Sequence, residues 1–72
     1  MDGHIDRIIV RRTAESVRAE AEVTLSGTVR TITSDGRSMS VDAELLDIRR
    51  QLYALGFSKR AISTAVKTRE GS

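Results

Sequence analysis

Few side chains in this sequence could carry acid–base chemistry. Glu20 and Glu22 stand two residues apart in a segment of alternating polarity, which would place them about 7 Å apart on one face of a strand. Two carboxylates can serve as acid and base in glycoside hydrolysis. A solvated strand face explains this pair better. His4 is the only histidine, and we interpret it as a surface residue in a frayed N-terminal segment.

Signatures of metal, phosphate-loop or nucleophile chemistry are missing from the chain. It has no cysteine, no zinc or calcium spacing and no glycine-rich phosphate loop. Its serines and threonines have no neighbouring general base that the sequence identifies. Basic and aromatic residues do not interleave, as they do in single-strand binding proteins. We therefore expect no enzyme activity, no cofactor and no metal.

Lys59 and Arg60 open an expected helix, where acidic residues are favoured. A helix N-terminus carries partial positive charge, so cations there cost about 0.3–1 kcal/mol relative to acidic residues. Asp47 or Glu44 across a helical hairpin could neutralise one of them, with the rest solvated. Alternatively, the two cations and the free N–H groups could bind a nucleic-acid phosphate. They could also meet an acidic patch on a protein partner.

Three residues of a helix expected before Lys59 extend the protein-binding interpretation of Lys59 and Arg60. Arg49, Arg50 and Tyr53 would form a basic patch with one aromatic anchor. A solvated helix face is an equally simple interpretation of the same residues.

The size of the chain limits what can hold these residues in place. Seventy-two residues form a single domain, residues 1–72, whose core is marginal and could gain from oligomerisation. No apolar run is long enough for a membrane span, so we expect a cytoplasmic protein without membrane contact. Residues 1–36 have a net charge of −1 and residues 37–72 a net charge of +3.

The first half of the chain has the pattern of a small antiparallel sheet. Ile5 to Arg12 is a β-branched run, and strict alternation of apolar and polar residues from Val17 to Leu25 predicts a half-buried strand. Ser26-Gly27 indicates a break or bulge before the strand "TVRTIT". Asp35-Gly36 predicts a hairpin turn into a returning strand "RSMSV". These segments predict a β-meander of three or four strands over about 5–41.

The second half changes to a helical period. Leu45, Ile48, Leu52 and Leu55 recur at steps of three and four residues, and Asp42 is the expected N-cap. Gly56 suits the left-handed position after the helix, with Phe57 folded back on Leu52.

Ser58 is the expected N-cap of a second helix with a stripe of Ile62, Ala65 and Val66. The predicted fold class is therefore α+β, an antiparallel β-meander followed by a helical hairpin over about 42–68, with frayed termini.

The stretch "LYALGFSKRAISTAV", residues 52–66, resembles the first two helices of a ubiquitin-associated (UBA-like) domain. In particular it is similar to the UBA-like C-terminal domain of the bacterial Holliday-junction protein RuvA, which contacts a motor partner. The positions that match in spacing are Leu52, Leu55, Gly56, Phe57, Ser58, Ile62, Ala65 and Val66. The resemblance covers about a third of the chain and implies binding to a protein through the loop Leu55-Gly56-Phe57.

A second stretch, "RSMSVDAELLDIRRQLYALGFSKRAISTAV", resembles the ribbon–helix–helix DNA-binding regulators. That resemblance implies a dimer whose paired strands enter the major groove. The implied DNA-binding residues are Arg37, Ser38, Ser40, Ser58, Lys59 and Arg60. Met39 and Val41 would lie in the dimer core.

We expect a small, non-enzymatic adaptor or regulator that binds a protein partner with an acidic patch. Ten arginines against two lysines fit a GC-rich bacterial or phage coding sequence. The expected partner-binding residues are Arg49, Arg50, Tyr53, Leu55, Gly56, Phe57, Lys59 and Arg60. The alternative is a dimeric DNA-binding regulator of the ribbon–helix–helix type. The sequence leaves both nucleic-acid binding and a homodimer open.

Overall fold

The computed structural model describes residues 3–71, which form four strands and two helices. In chain order the elements are β1 (Gly3–Arg12), β2 (Val17–Leu25), β3 (Thr28–Thr33), α1 (Val41–Ala54), α2 (Lys59–Thr64) and β4 (Lys67–Gly71). Gly3 and His4 belong to β1, so the prediction of a frayed start was wrong for these two residues. The fraying expected after residue 68 was wrong for residues 69–71, which belong to β4, and the fraying expected at Met1, Asp2 and Ser72 concerns residues outside the described range.

The sheet is mixed, with strand order β3-β2-β1-β4. β1 pairs with β2 and β2 with β3 in the antiparallel sense, whereas β4 pairs with β1 in the parallel sense. The prediction of a purely antiparallel meander was therefore wrong. The chain leaves β3 at one edge of the sheet, passes through the two helices, and returns beside β1 at the opposite edge.

The turn between β2 and β3 is a two-residue hairpin at Ser26-Gly27. Leu25 and Thr28 are paired, and the φ angles of the two turn residues are 50° and 80°. Positive φ at both positions is the requirement of a type I′ turn, whose twist matches that of the strands. The sequence analysis had assigned only a break or bulge here.

Residues 34–40, in contrast, form a loop that contains no strand. The hairpin predicted at Asp35-Gly36 and the returning strand at 37–41 are absent from the described structure. Gly36 has a φ of 70°, so positive φ at this position serves the loop rather than a hairpin. The loop is held by α1, because the Glu44 carboxylate accepts hydrogen bonds from Ser34 Oγ and from the backbone N–H of Gly36, at 2.7 and 2.6 Å.

The core lies between one face of the sheet and the two helices. Its buried members are Ile8, Ala19, Ala21, Val23, Ile48, Leu52, Phe57 and Ile62. The alternation predicted for β2 is confirmed, since Val17, Ala19, Ala21 and Val23 are all buried. In β1 the successive residues Ile8, Ile9 and Val10 are buried; Ile8 and Val10 pair with core residues of β2, whereas Ile9 pairs with Glu20 on the other face of the sheet.

The ends of the helices are defined by side-chain and backbone caps. Asp42 was predicted to be the N-cap of α1. The N-cap is instead Ser40, which accepts a hydrogen bond from Ala43 N, so the helix begins two residues earlier than predicted. The N-cap predicted for α2 is confirmed, since Ser58 accepts from Ala61 N at 3.1 Å. α2 ends at Thr64, so Val66 lies outside it and is 62% exposed.

Between residues 3 and 71, neither helix is long and apolar enough to cross a membrane.

Candidate protein-binding surface

The solvent-facing side of α1 carries two large apolar side chains with arginines between them. Leu46 and Tyr53 are 46% and 47% exposed, and Arg49 and Arg50 are exposed. Their positions follow the helical steps of three, four and seven residues, so the four side chains form one strip. We call these four residues the α1 outer face.

Leu46 stands between two clefts. One has a volume of about 330 Å³ and an apolar floor formed by Ile8, Leu45 and Ile62, with Arg49 at its side. The other has a volume of about 300 Å³ and a polar lining that combines two arginines with three acids, Arg37, Arg50, Asp35, Glu44 and Asp47. An apolar ridge with a cleft on each side can insert between side chains of a partner and can receive them in return.

The arginines of the α1 outer face are not used in ion pairs within residues 3–71. The salt bridges of this part of the chain involve His4, Arg7 and Arg11 of β1 instead. Asp47, which was expected as a possible ion-pair partner of Lys59 or Arg60, instead accepts a hydrogen bond from the backbone N–H of Asp35 at 3.0 Å. Arg49 and Arg50 therefore project positive charge into solvent beside the exposed apolar groups.

The predicted turn after α1 is confirmed in its hydrogen bonds. Gly56 has a φ of 101° and donates to Tyr53 O at 2.9 Å, while Phe57 N donates to Leu52 O at 3.1 Å. These two bonds define a Schellman motif. Phe57 is only 6% exposed and belongs to the core, so it positions the loop without presenting its ring to a partner. Leu55 is 38% exposed.

Lys59 and Arg60 are exposed at the start of α2, which has no acidic residue in its first turn. No salt bridge among the described residues includes either side chain. Glu44 does not reach them, because its carboxylate is turned into the loop of residues 34–40. Both cations are thus solvated at the end of the domain where the two helices meet.

Of the six residues implied by the ribbon–helix–helix resemblance, the three serines have structural roles in this chain. Ser38 N donates to Glu44 Oε2 at 3.3 Å, and Ser38 Oγ accepts from Ser40 N at 3.0 Å. Ser40 and Ser58 are N-caps, and Arg37 is exposed in the loop. Met39 and Val41 were expected in a dimer core. Met39 lies in the loop and is 60% exposed, and Val41 is the first residue of α1.

The acidic pair Glu20 and Glu22 lies on the face of the sheet opposite the helices. Arg11 Nε is 3.1 Å from Glu20 Oε2, and Arg7 Nη2 is 2.8 Å from Glu22 Oε1. The hydrogen bond and the charge of Glu22 raise the pKa of Arg7 above its ordinary value. These carboxylates are bound to cations on an open strand face. Within residues 3–71 no cluster of side chains has the composition of a metal site.

Two residues of α1, Leu46 and Glu44, have positions in the fold that were not predicted from the sequence. Leu46 is an apolar residue on the otherwise polar side of an amphipathic helix. Its position off the buried stripe was the signal in the sequence that it could be exposed. Glu44 was expected to stabilise the helix start by its charge and was one of two acids that could neutralise Lys59 or Arg60. It is 3% exposed and organises the preceding loop, a role that depends on contacts between segments.

Comparison with protein-family models, curated proteins and solved structures finds no match to this chain.

Proposed function

We propose that this protein is a small, non-enzymatic adaptor or regulator that binds an acidic protein partner through the α1 outer face. One observation carries the proposal: Leu46 and Tyr53, two large apolar side chains, are each nearly half exposed on a helix whose opposite side is buried. Exposed apolar anchors with arginines between them on one helix face are a feature of protein-binding sites.

The chemistry of the strip indicates the kind of partner. Tyrosine and arginine are enriched among residues that dominate binding energy, and apolar anchors work best when a polar rim excludes water around them. Here Tyr53 and Leu46 are the anchors, and Arg49 and Arg50 supply positive charge between them. A partner with an apolar groove bordered by Asp or Glu would complement both features.

The rest of the fold supports this role by holding α1 still. Ile48 and Leu52 are fully buried on the inner side of the helix, and the Schellman motif fixes its end. The outer face is therefore presented on a rigid element, which lowers the entropic cost of binding. Lys59 and Arg60 extend the positive surface beyond the end of α1.

Affinity capture with matched variants tests the proposal. Wild-type protein, Tyr53→Ala and Arg50→Glu are immobilised and exposed to a lysate of cells that produce the protein, and captured proteins are quantified by mass spectrometry. Arg12→Glu is the control, because it makes the same charge change at an exposed residue of β1 outside the α1 outer face.

We expect a common set of captured proteins to be depleted by at least about tenfold with both α1 variants, as for loss of an interface anchor. The control should retain that set. Direct titration of one purified member against the same variants should reproduce the ranking, and added salt should weaken binding of the wild type. Equal capture by all four proteins would refute a binding role for the α1 outer face.

A further inference from the structure

The β3 edge of the sheet is open and lacks the usual protection. β3 pairs with β2 on one side, and no strand of residues 3–71 covers its other side. Its sequence, "TVRTIT", is β-branched at every position except Arg30. Natural edge strands are commonly blunted by several charges, by proline or by a bulge. The opposite edge fits that rule, since β4 carries Lys67, Arg69 and Glu70.

The outward-facing backbone groups of β3 can be assigned from its pairing. Ser34 N donates to Ala19 O at 2.8 Å, which makes this a hydrogen-bonded pair. Because such pairs alternate along an antiparallel ladder, Thr28, Arg30 and Ile32 direct their N–H and C=O groups to β2. The residues between them, Val29, Thr31 and Thr33, direct theirs outward. Gln51 Nε2 donates to Thr33 O at 3.0 Å, which confirms that this carbonyl points away from β2; its second lone pair remains available to the N–H of a second chain.

We propose that β3 pairs in the antiparallel sense with β3 of a second copy of this chain, around a two-fold axis at Thr31. An outward-facing residue must oppose another outward-facing residue in such a ladder. With the axis at Thr31, Val29 of each copy pairs with Thr33 of the other. The contact is then the same on both chains, as a two-fold dimer requires.

Side-chain charge selects this register over its neighbours. An axis at Arg30 would place the two Arg30 side chains directly opposite one another, which is destabilising. An axis at Ile32 would oppose Val29 to Asp35, whose N–H already donates to Asp47 Oδ2 at 3.0 Å. The axis at Thr31 instead places Arg30 opposite Ile32 of the second copy.

The structure around Ile32 suits an arginine from a second chain. Ile32, Gln51, Ala54 and Leu55 line a cleft of about 290 Å³ beside the β3 edge, and its lining is mainly apolar. The last turn of α1 forms part of this cleft and contains no basic residue. The C-terminus of a helix carries partial negative charge and favours a cation. Arg30 of the second copy would lay its aliphatic stem on Ile32 and Leu55 and its guanidinium at that helix end.

Disulfide trapping tests the register. The chain has no cysteine, so Thr31→Cys and Val29→Cys each introduce a single thiol at an exposed position. Opposed residues of a hydrogen-bonded antiparallel pair have Cα atoms about 5.5 Å apart, within the range of a disulfide. In the proposed register, two cysteines at position 29 would be offset by four residues, or about 13 Å along the strands, which is beyond the reach of a disulfide.

We expect mild oxidation to convert Thr31→Cys into a covalent dimer at least ten times faster than Val29→Cys. Equal rates for the two variants would overturn the proposed register, because they would indicate random collision.

Sedimentation equilibrium tests whether the edge forms the dimer at all. We expect the wild type to show a monomer–dimer equilibrium over a dilution series. Thr31→Pro removes an outward N–H and leaves the bonds to β2 intact, so it should abolish the dimer without changing the circular dichroism of the fold. Arg30→Glu should weaken the dimer at least severalfold, since it places an acid at the negative end of α1.

Two results would overturn the proposal. One is a wild type that remains monomeric at every concentration examined. The other is a dimer that both Thr31→Pro and Arg30→Glu leave unchanged, which would place the contact on another surface. Tyr53→Ala provides the separate control, because it changes the α1 outer face and should leave a β3-mediated dimer intact.

Discussion

Glu44 connects the start of α1 to the loop that precedes it. Its carboxylate is 3% exposed and accepts hydrogen bonds from three donors: Ser34 Oγ and the backbone N–H groups of Gly36 and Ser38. Ser34 Oγ in turn accepts from Ala19 N of β2 at 2.9 Å. A carboxylate can accept all three bonds because it has only acceptor sites. This one side chain therefore links helix, loop and sheet.

Replacing Glu44 by glutamine should destabilise the protein. The amide has one acceptor oxygen, and its NH₂ group would face at least one donor, leaving buried polar groups unpaired. We expect the free energy of unfolding to fall by about 1–3 kcal/mol. Urea denaturation of Glu44→Gln measures the change. Glu15→Gln is the matched control, since Glu15 is exposed in the β1–β2 turn and should change stability by less than about 0.5 kcal/mol.

Equal unfolding midpoints for Glu44→Gln and Glu15→Gln would mean that the three hydrogen bonds to the Glu44 carboxylate do not stabilise the fold. At this scale the sequence indicated an acid near a helix start, and only the folded chain brought three donors to it.

At the level of elements, period and turn chemistry predicted most of the local structure. The alternation in β2 and the three- and four-residue steps in α1 each produced the expected element, because one face of each packs on the same core. The hairpin turns were less accurate. Asp35-Gly36 has the stronger intrinsic hairpin preference, yet Ser26-Gly27 forms the hairpin, since the strands that can pair lie on either side of it.

Ser26→Asn should stabilise the β2–β3 hairpin. Ser26 has a φ of 50°, a region that asparagine tolerates better than most side chains, and Asn-Gly is the preferred type I′ pair. We expect the free energy of unfolding to rise by up to about 1 kcal/mol, measured by chemical denaturation. Ser26→Val is the opposing control and should lower stability, because β-branched residues are strained at positive φ.

A reversed order of the two variants would mean that this turn does not limit the stability of the hairpin.

At the level of the whole molecule, β4 closes the fold. The described chain returns from α2 to the edge of the sheet next to β1, where Ile8 N donates to Val66 O at 2.8 Å. "KTREG" has no apolar residue and offers no periodic signal of a strand. Its strand conformation results from pairing with β1, whose backbone groups on that side would otherwise lack partners.

Two proline variants test the parallel pairing. In a parallel ladder that includes the bond from Ile8 N to Val66 O, Thr68 directs its N–H to Ile8 O, and Arg69 directs its N–H to solvent. Thr68→Pro should therefore lower the free energy of unfolding by about 1 kcal/mol more than Arg69→Pro. Thermal and urea denaturation of both variants provide the comparison. Equal losses would be inconsistent with β4 as a paired strand.

The sequence by itself determined the elements whose signals are local. Residues 17–25, 28–33 and 42–54 carry a polarity period or a β-branched composition, and Gly56 and Ser58 carry cap chemistry, so their conformations follow from short-range physics. Tertiary structure decided the rest. β4 exists because β1 offers it hydrogen bonds, and the loop of residues 34–40 is held by Glu44. These outcomes depend on partners distant in sequence, which no local pattern encodes.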